Sequence, residues 1–327
     1  MSKQALEKKI ETLAGIRSAP ASVAVAELRK ALRDRSNYVV SKAAAHVADL
    51  SLPELVPDLV TAFERFLADP TQSDPQCWAK NAIAQALKDL AHRDAEVFLR
   101  GLVHVQLEPV WGGKADSAMT LRGICALALI DCRLDDLGIL THLIPGLADP
   151  APVVRIDTAL AIARLGSRGG ALLLRLKILL GDEDPEVMGQ CFASLLSIEP
   201  GEAVAFVSKF LSATDDNVAS EAAGALAQSR APEAIRVLKT MWKKFSPQVR
   251  EAVLASLRAS SFEEAADFLL HLIANEAGEV AARAIAALAA SRFHQQFRER
   301  AAAVVEHRGD PILRSAWERA FPIREDK

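Results

Sequence analysis

Apolar residues recur along this chain at one helical spacing, and the spacing itself recurs. In DPAPVVRIDTALAIARLG, residues 149–166, Val154 is followed at +4, +5 and +8 by Thr158, Ala159 and Ile162. In a helix those offsets form one stripe, and a stripe of small and apolar side chains has to be covered by a neighbouring helix. The same stripe can be counted from Val39, Ala79, Leu121, Val187, Val218, Val249, Val280 and Leu313. By subtraction these anchors lie 40 and 42 residues apart as far as Leu121, and 31 to 33 apart from there on. A period of that length means stacked helix pairs in which each pair buries its face on the next.

The expected architecture is all-α, a right-handed α-solenoid (an α-α superhelix) forming a single body over residues 1–327. Residues 1–21 are expected to be a capping helix, 22–321 about nine helix pairs, and 322–327 a short tail. Glycines and prolines mark the joints, among them Gly166, Pro200, Pro232, Gly278 and Pro311. The long irregularity is VHVQLEPVWGGKADSAM, residues 103–119, where Pro109, Gly112 and Gly113 disfavour helix.

Charge adds a second periodic feature. An acid stands five residues before the anchor at Asp34, Asp74, Asp116, Asp149 and Asp182, and a base one residue after it at Lys80, Arg122, Arg155, Arg250 and Arg314. An aspartate ahead of a helix can cap free amides and face the base of the next repeat. Asp74, Lys80, Asp116, Arg122, Asp149 and Arg155 are therefore expected to form a structural ladder between repeats rather than a ligand site. Arg155 is expected to pair with Asp149 or Asp116.

With these residues in view the chain resembles the HEAT-repeat family, particularly the short HEAT-like repeats also found in bilin lyases. LIPGLADPAPVVRIDTALAIARLG, residues 143–166, carries the resemblance most fully, with Pro145, Asp149, the Val154–Arg155 pair and the alanine stripe. Units of 31 to 33 residues are shorter than a typical HEAT unit, and the Asp–Arg pair is lost after residue 190. The resemblance implies the solenoid fold. It is nearly silent on function.

Composition narrows the function classes. Half of the residues are hydrophobic, and no apolar run approaches membrane-spanning length. The N-terminal stretch lacks the unbroken apolar core of a secretory signal. Cys77, Cys125, Cys132 and Cys191 form no CxxC pair, and two of them fall on the buried stripe, so reduced core thiols and a cytoplasmic location are expected. Residues 1–40 carry eight bases and four acids, and residues 292–327 eight bases and six acids; the total of −3 leaves −9 for residues 41–291. An acidic body repels phosphate backbones, so neither nucleic acid nor membrane is expected as a partner.

The chemistry-bearing motifs are few. The histidines show no HExxH or equivalent spacing; His104 and Glu108, four apart, would share a helix face but lack further ligands, so neither metal nor cofactor is expected. No nucleophile elbow, dinucleotide fingerprint or phosphate loop is present, and GSRGG at 166–170 falls at a repeat joint. Trp111, Gly112, Gly113 and Lys114 offer a loop platform for a partner; the alternative is that Trp111 folds back to cover a widened gap between repeats two and three. Positions +2 and +3 leave the buried stripe, so Lys42, Asn81, Asp157, Gln190, Glu221, Glu251 and Arg283 are expected to line a concave groove.

These readings converge on a non-catalytic protein–protein interaction scaffold. Its concave surface, acidic in the middle, would take a basic or polar protein or peptide segment. Two alternatives stand beside it: a HEAT-like DNA-repair glycosylase, which would need a basic aromatic groove and a catalytic acid, and a bilin-lyase-like protein.

Overall fold

The repeating stripe is realised as antiparallel helix pairs in a computed structural model that describes residues 3–322; Met1, Ser2 and residues 323–327 of the expected tail lie outside the described residues. By contact the chain divides into two compact units, residues 1–165 and 166–327.

Unit 1 opens with α1 (Lys3–Ala14) and a single 3-10 turn, Gly15–Ser18. Its pairs are α2 (Ala21–Leu32) with α3 (Asn37–Asp49), and α4 (Val56–Ala68) with α6 (Trp78–Asp89), the turn α5 (Pro70–Ser73) lying between the latter two. Next come α7 (Ala95–Leu102) with α8 (Met119–Leu129), then α9 (Asp136–Leu143) with α10 (Pro152–Leu165). The second helices α3, α6, α8 and α10 pack in succession to form the inner row, and α1 packs on α3 as the cap.

Unit 2 holds five pairs: α11 (Arg168–Leu180) and α12 (Pro185–Ile198), α13 (Pro200–Val207) and α14 (Asp216–Gln228), α15 (Pro232–Met241) and α16 (Pro247–Ala259), α17 (Glu263–Asn275) and α18 (Gly278–Ala289), α19 (His294–Arg308) and α20 (Pro311–Ala320). Its inner row runs α12, α14, α16, α18, α20. Among the described residues no helix is long and apolar enough to cross a membrane.

The stripe is the core. Its +8 residues, from Val47 through Leu87, Leu129, Ile162, Leu195, Leu226 and Leu257 to Leu288, are buried, and so are the +4 and +5 residues from Ala43 to Ile285. In α14 and α18 the anchors Val218 and Val280 are only half-buried, and Ala219 and Ala281 take the covered place one residue on. The last pair departs because nothing among the described residues stacks on it: Glu318, at +5, is exposed.

The periodic aspartates do not cap in the expected way. Asp34, Asp116, Asp149 and Asp182 each accept the backbone N–H two residues on, at Ser36, Ala118, Ala151 and Asp184, which shapes the turn before the helix. In the inner row the side-chain caps include Ser36, Asp184, Asp215, Ser246 and Asp310. Of the periodic aspartates, Asp74 is the one shown reaching helix amides directly, those of Ala79 and Lys80.

The irregularity at 103–119 is a β-hairpin and not a loop. Strands β1 (Leu107–Val110) and β2 (Gly113–Asp116) pair antiparallel around a Trp111–Gly112 turn, with Val110 opposite Gly113 and Leu107 opposite Asp116. Gly112 has φ +89°, which a two-residue hairpin turn needs and which a side chain would strain.

Candidate functional site

The hairpin stands on a buried polar base built from the second and third pairs of unit 1. Gln106, fully covered, is its centre. The Gln106 side-chain amide donates to the Asp74 carbonyl at 2.9 Å and to Glu108 Oε1 at 2.6 Å, and its oxygen accepts from Cys77 Sγ at 3.2 Å, with His104 Nε2 also at 3.2 Å. The Gln106 backbone N–H donates to Asp116 Oδ1, and its carbonyl accepts from the Ser117 N–H. Glu108 also receives the Gln76 backbone N–H and the Ser117 hydroxyl. Burial alone would raise the Glu108 carboxyl, but these hydrogen bonds outweigh it and hold it below the usual range. His104 and Glu108 thus lie in a loop and on a strand, not on one helix face, and both are committed to this network.

The ladder borders that base. Lys80 Nζ lies 3.0 Å from Asp74 Oδ2, both wholly buried. Arg122 joins Asp116 at 2.7 Å to Asp149, which it grips through Nε and Nη2 at 2.8 and 3.0 Å; its Nη1 also donates to the His104 carbonyl. Burial works against the Asp116 carboxyl, yet the amides of Ala118 and Gln106 and the Arg122 guanidinium hold it low. Arg122 therefore spans two repeats, as the ladder reading expects. Arg155 Nη1 donates to the backbone carbonyls of Asp149 and Pro150.

Backbone strain collects at the same place. Gln76 and Cys77 are consecutive non-glycine residues with φ of 62° and 56°, a conformation that costs on the order of 1–3 kcal/mol per residue. This turn aims the Gln76 N–H at Glu108 and the Asp74 carboxylate at the start of α6.

Trp111, at the hairpin tip, is wholly exposed, and Val103 and Val105 ahead of β1 and Leu107 and Val110 at its two ends are each more than half exposed. The fold-back alternative is overturned: the indole covers no gap. Gly112, Gly113 and Lys114 share its exposure.

Beside the hairpin base the inner row of unit 1 carries an open depression of about 460 Å³, lined by Tyr38, Ser41, Lys42, Trp78, Asn81, Ala82, Gln85 and Ile124. The Tyr38 and Trp78 rings lie 5.9 Å apart, tilted by 60°. Lys42 Nζ sits 5.4 Å from the Tyr38 ring centre. Asn81 keeps its side-chain oxygen without a hydrogen-bond partner. The structure thus brings Lys42 and Asn81 together; the two aromatic rings fell outside the +2 and +3 offsets, although their place at the starts of α3 and α6 was visible in the sequence.

The acidic row is less open than expected. Asp157 and Glu221 are half-buried. Each lies over a glycine of the preceding inner helix: a Cβ built on Gly123 would stand 2.0 Å from Asp157 Oδ2, and one on Gly189 would stand 2.0 Å from Glu221 Oε2. Burial raises the Asp157 carboxyl, with Arg164 opposing, and burial together with Glu186 and Asp184 raises that of Glu221. Gln190 donates to Ser194, and exposed Glu251 pairs with Arg283. All four cysteines are buried, and burial pushes Cys77 and Cys132 up to about 11 and Cys191 to about 12.

Residues 173–258 and 204–289 match the family model of HEAT repeats. Among curated proteins there is no match. Solved structures similar to this chain include human deoxyhypusine hydroxylase in complex with glycerol, 18% identical, covering 78% of this chain and 90% of that one at a TM-score of 0.31. Another is the complex of CpcE and CpcF of phycocyanin lyase from Nostoc sp. PCC7120, 20% identical, covering 75% and 91% at 0.38. A third is an engineered protein, 21% identical, covering 98% and 96% at 0.39.

Proposed function

We propose, for a chain whose residues 173–289 carry HEAT repeats, that it is a non-catalytic scaffold receiving an extended polypeptide segment on the inner row of unit 1. The observation that carries this reading is the aromatic and amide lining of the depression at Tyr38, Trp78, Asn81 and Gln85. An extended segment leaves its backbone donors and acceptors unspent and turns side chains to alternate sides. Asn81 and Gln85, four apart on one face of α6, both line the depression and bring carboxamides that can donate to and accept from such a backbone. The two rings offer flat apolar surface for its side chains. The depression is shallow and open, unlike the enclosing pockets that hold small ligands. The cysteines support binding over covalent chemistry, because a buried thiol with a raised pKa is a poor nucleophile at neutral pH.

The test is selection of phage-displayed random peptides on the full-length chain, followed by affinity measurement with labelled peptides. Selected peptides should lose roughly tenfold or more in affinity on Trp78→Ala or Asn81→Ala, as central contacts of an interface do. Peptides that bind both variants as tightly as the wild type would move the binding surface elsewhere.

A further inference from the structure

We propose that the hairpin of β1 and β2 is a second, pre-set binding arm of unit 1, and that with Lys42 it selects a segment that is acidic as well as apolar. This rests on the groove reading above and adds to it an element and a charge. A two-stranded hairpin by itself is marginally stable in water. Here the structure commits buried Gln106, the Lys80–Asp74 and Arg122–Asp116 pairs and the strained Gln76–Cys77 turn to holding one, yet leaves the hairpin itself uncovered. The Trp111 indole is fully exposed at the hairpin tip, next in sequence to the exposed Val110. A fully exposed tryptophan on a fixed support has the character of a contact residue, since tryptophan is among the residue types enriched at binding hot spots.

The sign of the partner's charge follows from where the hairpin's own charges point. Its ionised residues are Glu108, Lys114 and Asp116. Both carboxylates turn to the base, where Gln106, Ser117 and Arg122 engage them. Lys114 alone is left exposed on the strands. The depression repeats the pattern, since Lys42 is its one ionisable side chain apart from the weakly acidic Tyr38 phenol. The two surfaces are joined through the Gln76–Glu108 hydrogen bond, two residues before Trp78. A basic segment would meet lysine at both, whereas an acidic one with an apolar side chain for Trp111 is complementary to both.

Two pools of short synthetic peptides decide the matter. Both contain Leu, Phe, Tyr, Ser and Gly; one adds Asp and Glu, the other Lys and Arg. Retention on the immobilised full-length chain should favour the acidic pool by roughly tenfold or more, fall at least about fivefold with Trp111→Ala or Lys114→Glu, and weaken with salt. Trp111 and Lys114 are exposed, so both variants should keep the wild-type melting temperature. Equal or greater retention of the basic pool, or retention of neither pool, would overturn the proposal. Retention that Trp78→Ala abolishes and the two hairpin variants leave untouched would uphold the groove and remove the arm.

Discussion

Asp157 and Glu221 set a pH signature at the scale of single residues. Both carboxyls are raised in the fold, Asp157 by burial and Glu221 by burial reinforced by Glu186 and Asp184. A raised acid binds its proton more tightly folded than unfolded. Its stabilising share is therefore complete below the unfolded pKa and is lost as pH rises through the folded one. At neutral pH the charge opposes folding. Asp157→Asn and Glu221→Gln should each raise stability at pH 7, by up to about 1 kcal/mol. The gain should shrink as pH falls through the carboxylate range, and denaturant melts across pH will show it. The seat itself is testable by a cycle: Gly123→Ala should destabilise, and less so when Asp157 is also alanine, because the new Cβ then meets no carboxylate. Both halves of this seat stood in the sequence, glycine at +2 and the acid at +3 one repeat later. Reading each helix alone made Asp157 and Glu221 groove residues; only stacking the helices shows the acid lying over the glycine.

Among elements, the hairpin depends on the ladder. Arg122 holds Asp116, Asp149 and the His104 carbonyl at once and is nearly covered. Breaking such a buried pair from one side costs about 3–5 kcal/mol. Arg122→Met should approach that loss and also free residues 103–117 to faster hydrogen exchange and proteolysis than Trp111→Ala does. The helices were legible because their signal repeats, each stripe confirming the next. The strands were not, because LEPV and GKAD are short, lack apolar alternation and contain a proline and a glycine. Their pairing is fixed by Gln106, Glu108 and Asp116 acting across the chain, which no local pattern displays.

For the whole molecule, stability should travel between neighbours. Leu226 is buried on α14, which packs on α12, α13, α15 and α16. Leu226→Ala should cost about 2–5 kcal/mol. Hydrogen exchange should show the loss of protection concentrated in α14 and those four helices, with unit 1 helices such as α3 and α6 little changed, as expected where each repeat touches only its neighbours. Uniform loss across both units would contradict that locality. The period made this array readable. The division at residue 165 was invisible, since Gly166 reads like the other glycines and prolines that mark joints, such as Pro200 and Gly278.

The four covered cysteines have a practical consequence. Folded, the chain should be almost silent toward thiol reagents, releasing colour from a disulfide indicator only as it unfolds. The native sequence is then already the blank background that single-site labelling requires. A cysteine placed at Lys114 would be the one fast-reacting thiol on the molecule, and a dye attached there would report directly on whatever approaches the hairpin.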